Sequence, residues 1–254
     1  MAMKTLTLSP KPAEIKPLAY NSSSSIEPLG YNIWGINFGE DYFVTAVTSC
    51  ASDVDRWIAR TINVHRWRLH KLVVGLDTEW CLPTETNKHQ KVAIIQLCVG
   101  QRCLVFQLCH KDRMPQSLVD FLANDKFTFV GKGIENDANK LYQDYGLNVA
   151  RTMDVADMAA AKYDDEELKR FGLKRLVLKF LHVEMEKSKR ITLSKWDVNK
   201  LSKQQIRYAA IDAFVSFKLA IELKKEIIAV PKPITFDAFV SFKLDHELTK
   251  PGIY

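Results

Sequence analysis

The sequence lacks any apolar run near the roughly 18 residues that a membrane-crossing helix needs. It also lacks a basic N-terminal region followed by an apolar core of the kind that opens a secretory leader. A membrane role and a secretory route are therefore not expected. There is no G-x-x-x-x-G-K-[ST] phosphate loop, so a nucleotide-driven motor is excluded. Cysteine is sparse: Cys50, Cys81, Cys98, Cys103 and Cys109 are odd in number and lack the spacing of a paired zinc site. Cys98 and Cys103 lie in apolar, strand-like sequence, where cysteine behaves as a small hydrophobe. Free thiols in a reducing compartment, nuclear or cytoplasmic, are the expectation.

What is present fits a single α/β domain. Of 254 residues, 47% are hydrophobic and 26% charged, enough for a substantial core. The formal net charge of +6 suits a polyanionic partner without requiring one. Residues 1–30 carry three prolines ahead of Ser22-Ser23-Ser24-Ser25 and read as a flexible tail. That tail has no arginine, which argues against organellar transit. Order is expected from near Asp41, in a domain spanning residues 41–228, followed by a C-terminal extension over 229–254.

Within the domain, Tyr42–Val47 has strand composition. Val54, Trp57, Ile58 and Ile62 fall at helical spacing, with Ser52 as N-cap. Leu72–Leu76 is a continuous apolar run, the mark of a strand covered on both faces. Gly100-Gln101 joins two apolar segments as a tight hairpin. Strand–helix alternation follows, and a last long helix opens at Ser202 and runs to about Lys225. Ser202 and Gln205 have capping-box spacing there. A meander followed by alternation predicts a mixed sheet of roughly five to six strands with helices on both faces.

Three stretches carry chemistry. In Leu76-Asp77-Thr78-Glu79-Trp80, two carboxylates two residues apart on a strand share one face. They form either a metal-binding pair or a solvated strand end. In Gly131-Lys132-Gly133-Ile134-Glu135-Asn136-Asp137, an acid follows a short strand and glycines at the start of a helix. A helix dipole alone would favour it, and Glu135 competes with Asp137. In Tyr208-Ala209-Ala210-Ile211-Asp212-Ala213, Tyr208 and Asp212 share one helix face among small residues. A hydrogen bond pinning the helix and a catalytic pair are both open readings.

Taken together, in order and spacing, these stretches resemble the three motifs of the DEDD 3′–5′ exonucleases, in the branch whose third motif carries tyrosine. The resemblance covers roughly residues 42–225 and is closest to the Werner-like exonucleases, particularly the small plant group. Ser194-Lys195-Trp196 is similar to that group as well, and so is Gly133, where many relatives carry asparagine.

The resemblance implies a ribonuclease-H-like fold and a catalytic set of Asp77, Glu79, Asp137, Tyr208 and Asp212. It settles the second motif on Asp137 rather than Glu135. The four carboxylates would hold two Mg²⁺ or Mn²⁺ ions, hard cations that take oxygen ligands. Tyr208 would orient the attacking water. The implied reaction releases nucleoside 5′-monophosphates from 3′ ends, of DNA in preference to RNA. With no motor in the chain, unwinding would come from a separate helicase or repair partner. Thr78, Trp80, Lys132, Lys140 and Arg207 are candidate nucleic-acid contacts because they adjoin the motifs. Asp212–Leu219 recurs as Asp237–Leu244, but Pro233 stands where Tyr208 would be, so Asp237 is left out of the site.

Overall fold

The computed structural model describes residues 24–83, 88–186 and 188–225. Most of the proposed N-terminal tail, the C-terminal extension and the second copy of the duplicated segment lie outside the described residues.

One mixed sheet organises the chain. Its strands are β1 (Ser25–Gly30), β2 (Ile33–Phe38), β3 (Asp41–Thr48), β4 (Val73–Trp80), β5 (Val92–Val99), β6 (Arg102–Phe106), β7 (Thr128–Gly131) and β8 (Thr152–Asp154). Their spatial order is β1-β2-β3-β6-β5-β4-β7-β8. The helices are α1 (Ala51–His65), α2 (Gln116–Leu122), α3 (Ile134–Tyr145), α4 (Val155–Tyr163), α5 (Leu173–Leu181), α6 (Lys189–Thr192) and α7 (Lys203–Lys224).

Alternation along β4 divides the core. Leu72, Val74 and Leu76 join Val54, Trp57, Phe121, Ile134 and Leu141 in a cluster roofed by α1, α2 and α3. Val73 belongs to the opposite cluster with Ala156, Leu176, Ala210 and Ala213, roofed by α4, α5 and α7. Every residue of β5 is buried, because β5 has neighbours on both sides and cover on both faces. Each such fully buried aliphatic side chain contributes about 1.5–3 kcal/mol.

The eight strands correct the expected five to six, and the difference lies at the N-terminal edge. Residues 25–30, assigned to the flexible tail, form β1 against β2, with Ser25 opposite Asn37. Backbone pairing orders this segment, since its side chains are almost all exposed. Pro28 and a register shift beside it blunt the exposed edge. Order therefore begins well before Asp41.

Two smaller expectations also change. Ser52 does not cap α1; the Asp112 carboxylate accepts from the Ala51 N–H at 2.8 Å, so the cap comes from far along the chain. Cys98 and Cys103 face each other across the β5–β6 hairpin and form a disulfide, with Cα atoms 4.1 Å apart. Five free thiols were expected; Cys50, Cys81 and Cys109 are free. The hairpin turn, with Gly100 at φ +62°, sets the register that makes the two sulfurs neighbours.

The capping box at the start of α7 is present in both directions. The Ser202 N–H donates to Gln205 Oε1 at 3.0 Å, and the Gln205 N–H donates to Ser202 Oγ at 3.2 Å.

Candidate active site

Gly75 sets the geometry of the site. A Cβ on it would lie 2.0 Å from the Ala213 carbonyl oxygen, so only glycine lets α7 rest on β4 at this point. Asp77 and Glu79 follow on the same face by strand alternation. Asp212 precedes Ala213 on the helix. Oxygens of Asp77, Glu79 and Asp212 lie within 4.8 Å of one another. Asp212 is 2% exposed and Glu79 9%. Carboxylates at that separation repel by roughly 3–4 kcal/mol per pair at an effective dielectric near 20. Hard oxygen donors gathered this closely suit Mg²⁺ or Mn²⁺.

α7 is held over the strand by its own packing. Phe214 stacks on Phe43 of β3 with ring centroids 4.2 Å apart. Ala209, Ala210 and Ala213 are fully buried and keep the helix close to the sheet.

Asp137 is not part of the group of oxygens that all lie within 4.8 Å of one another. Ile134, Asp137 and Leu141 form the buried stripe of α3, on the other face of β4. There Thr78 Oγ1 donates to Asp137 Oδ1 at 2.5 Å. Trp80 Nε1 in turn donates to Thr78 Oγ1 at 2.8 Å. Burial pushes the Asp137 carboxyl up to about 7, and the Thr78 hydrogen bond pulls against that rise. Glu135, its local competitor, is exposed and accepts from Thr152 Oγ1. Gly133 caps α3 in the left-handed region at φ +74°, a conformation that glycine adopts at no steric cost.

Tyr208 lies one helical turn before Asp212 and is half-buried. Thr192 Oγ1 donates to its hydroxyl at 3.3 Å. Its ring lies 6.0 Å from that of Trp196, which is 1% exposed. Gln205 Nε2 donates to Ser194 Oγ at 3.0 Å and to the Lys195 carbonyl at 2.9 Å. The Ser194-Lys195-Trp196 segment is thereby tied to the first turn of α7 and backs the tyrosine.

The expected basic contacts all have partners within the chain. Lys132 pairs with Asp154 at 3.1 Å, and Lys140 with Asp144 at 3.3 Å. Lys140 also lies over the Trp80 ring, 5.6 Å from its centroid. Arg207 donates to the Ser24 carbonyl at 2.9 Å and pairs with Glu186 at 3.6 Å. Thr192 and the structural role of Gly75 were not foreseen. The glycine inside a buried strand was the available signal for a close backbone approach.

Comparison with known proteins gives a consistent picture. A family model described as 3′–5′ exonuclease matches residues 46–228. A 3′–5′ exonuclease of Arabidopsis thaliana is 37% identical over 185 residues, covering 68% of this chain and 61% of that protein. The mouse bifunctional 3′–5′ exonuclease/ATP-dependent helicase WRN is 34% identical over 143 residues, covering 56% of this chain and 10% of the relative. The chain thus spans less than two thirds of these relatives' length. Among solved structures, the catalytic core of RRP6 from Trypanosoma brucei superposes with a TM-score of 0.56 at 17% identity, covering 71% of this chain and 46% of that one. Escherichia coli RNase D gives 0.53 at 18% identity, covering 78% and 49%. Both share the ribonuclease-H-like fold.

Proposed function

From the premise that this chain belongs to the family of 3′–5′ exonuclease domains, we propose that it hydrolyses the terminal phosphodiester bond at DNA 3′ ends, releasing nucleoside 5′-monophosphates. The observation that carries the reading is the convergence of Asp77, Glu79 and Asp212 oxygens within 4.8 Å, from a central strand and the last long helix. Three mutually repelling acids are stable together when cations neutralise them.

In this reading Asp77, Glu79 and Asp212 would hold Mg²⁺ or Mn²⁺, two ions per site, with Asp137 on the α3 side as a further oxygen donor. Bound cations supply charge stabilisation at the attacking and leaving oxygens and lower the pKa of a water. Tyr208 orients the attacking water by a hydrogen bond, its ring backed by Trp196 and its hydroxyl met by Thr192. A tyrosine hydroxyl can both donate to and accept from a water. Thr78 and Trp80 hold Asp137 in place.

The assignment to the tyrosine branch and to the Werner-like group rests on the motif text around Asp77, Asp137 and Tyr208, and the preference for DNA over RNA rests on the same text. The 2′-hydroxyl distinguishes the two substrates. The deciding experiment follows degradation of matched 3′-recessed DNA and RNA duplexes, labelled at the 5′ end, with Mn²⁺ and with EDTA. Metal-dependent shortening of DNA by single nucleotides is expected. Faster trimming of RNA would reassign the substrate, and no degradation of either would leave a nucleic-acid-binding domain without catalysis.

A further inference from the structure

The cations beside the acids are already engaged: Lys132, Lys140 and Arg207 each have an acidic partner. The uncompensated positive charge lies elsewhere. From Arg56 to Leu76 the sequence contains no acid, yet it includes Arg60, Arg66, Arg68 and Lys71. The acids of the first half of α1 are used locally, Asp53 by Arg56 and Asp55 by Arg113. The second half of the helix and the turn that follows it therefore remain positive.

The helical start of this stretch borders a cleft of about 680 Å³ between α1 and the ends of β2 and β3, lined by Tyr31, Trp57, Arg60 and Arg102 together with the Asp53–Arg56 pair. Among the described residues Arg60 and Arg102 have no acidic partner. Burial and the neighbouring Arg60 charge both depress Arg102, and burial, followed by the charges of Arg68 and Arg102, depresses His65. The cations thus lie close enough to feel one another's field. Such crowding costs stability unless anions relieve it. Two rings stand out in solvent, Tyr31 on the cleft at 91% exposure and Trp67 in the turn after α1 at 84%, with Arg66 5.1 Å from the Trp67 ring centroid. Cations interleaved with exposed rings suit a single strand, whose phosphates the cations neutralise and whose bases stack.

The cleft lies across the sheet from the acids. Asp77 aligns with Gln96, Gln96 with Val105, and Val105 with Val47 at the cleft. That is three strand spacings, roughly 14 Å along the sheet, but α1 covers the face opposite the one that carries Asp77, so a strand held in the cleft passes around the sheet to bring its 3′ end to the acids.

We infer that the Arg60–Arg102 cleft and the basic turn after α1 form a second docking site for the backbone of single-stranded nucleic acid, separate from the acidic site. The inference rests on the exonuclease reading only for the identity of its polymer. Binding of a 20-nucleotide single strand by the full chain in EDTA, measured by fluorescence anisotropy across a salt series, tests it. An Arg60→Ala/Arg102→Ala variant should bind more weakly, and its slope of log K against log salt should fall by about 1.4, for two phosphates at about 0.7 each. Its KM for a long strand should rise with kcat kept, and hydrolysis of a dinucleotide should stay unchanged. Arg60→Glu, at an exposed position, provides a second variant should the double one melt early. Unchanged slope and KM in variants that melt like wild type would overturn the docking site. So would wild-type binding to phosphatidylserine vesicles with none to the oligonucleotide. Failure of wild type to hydrolyse either substrate would sink the exonuclease reading instead, leaving the salt slope to judge the docking site.

Discussion

The two faces of β4 treat carboxylates in opposite ways. On the α7 face, Gly75, Asp77 and Glu79 meet Asp212, and three acids crowd within 4.8 Å. On the α3 face, Leu76 and Thr78 continue an apolar row, and a single acid, Asp137, is buried against a hydroxyl. One face gathers three carboxylates. The other holds one acid whose ionisation the burial opposes. The contrast shows that side-chain alternation along a single strand can build two different electrostatic environments a few ångströms apart.

The largest effect should come from the crowded face. Asp77→Ala or Asp212→Ala should cut hydrolysis by at least about 10³-fold. Melting in EDTA should be unchanged or higher, because removing one acid relieves repulsion. A much lower melting temperature would make the acids structural and erase the contrast.

Next in size is the contact that creates that face. Gly75→Ala should destabilise by about 1–3 kcal/mol or more, since the new methyl meets the Ala213 carbonyl. Hydrolysis should fall together with the melting temperature as α7 is pushed away. Retained activity in a destabilised variant would show that Asp212 need not be held so tightly.

The buried face gives a pH signature. Asp137 is raised from 3.8 to about 7, so the folded metal-free protein keeps a proton that the unfolded chain releases. Its contribution is intact below about pH 4 and is lost as pH rises through about 7. Asp137→Asn should flatten that decline in melts run in EDTA between pH 5 and 8. Identical profiles would show that Asp137 titrates normally.

The smallest effect is expected from Thr78→Val, which removes the donor to Asp137 and the acceptor for Trp80 Nε1. Calorimetry should read a loss of about 1–3 kcal/mol from groups left unsatisfied, with a lesser fall in hydrolysis than Asp77→Ala gives. In wild type, Mn²⁺ at 100 times its Kd should add about 2.7 kcal/mol, whereas Asp77→Ala should gain far less.

Much of this was legible beforehand. The Gly100-Gln101 hairpin joins β5 and β6, and α7 runs over Lys203–Lys224 behind the Ser202–Gln205 capping box, because local turns, periodicity and caps fix such elements. β1 was missed because a serine- and proline-containing stretch gains its order only from backbone pairing with a partner strand, and β2 was missed although Ile36 and Phe38 alternate into the core. The Asp112 cap of α1 and the Cys98–Cys103 disulfide were missed for a related reason, since each depends on residues that folding makes neighbours.

The sequence by itself determined which residue types carry chemistry and on which elements they lie, because strand alternation and helical spacing are local rules. Tertiary structure decided which acids share a site, which cations are already neutralised, and on which side of β4 Asp137 is held. Charge and hydrogen bonding depend on distances through space, and here a glycine in β4 and the path of α7 set those distances.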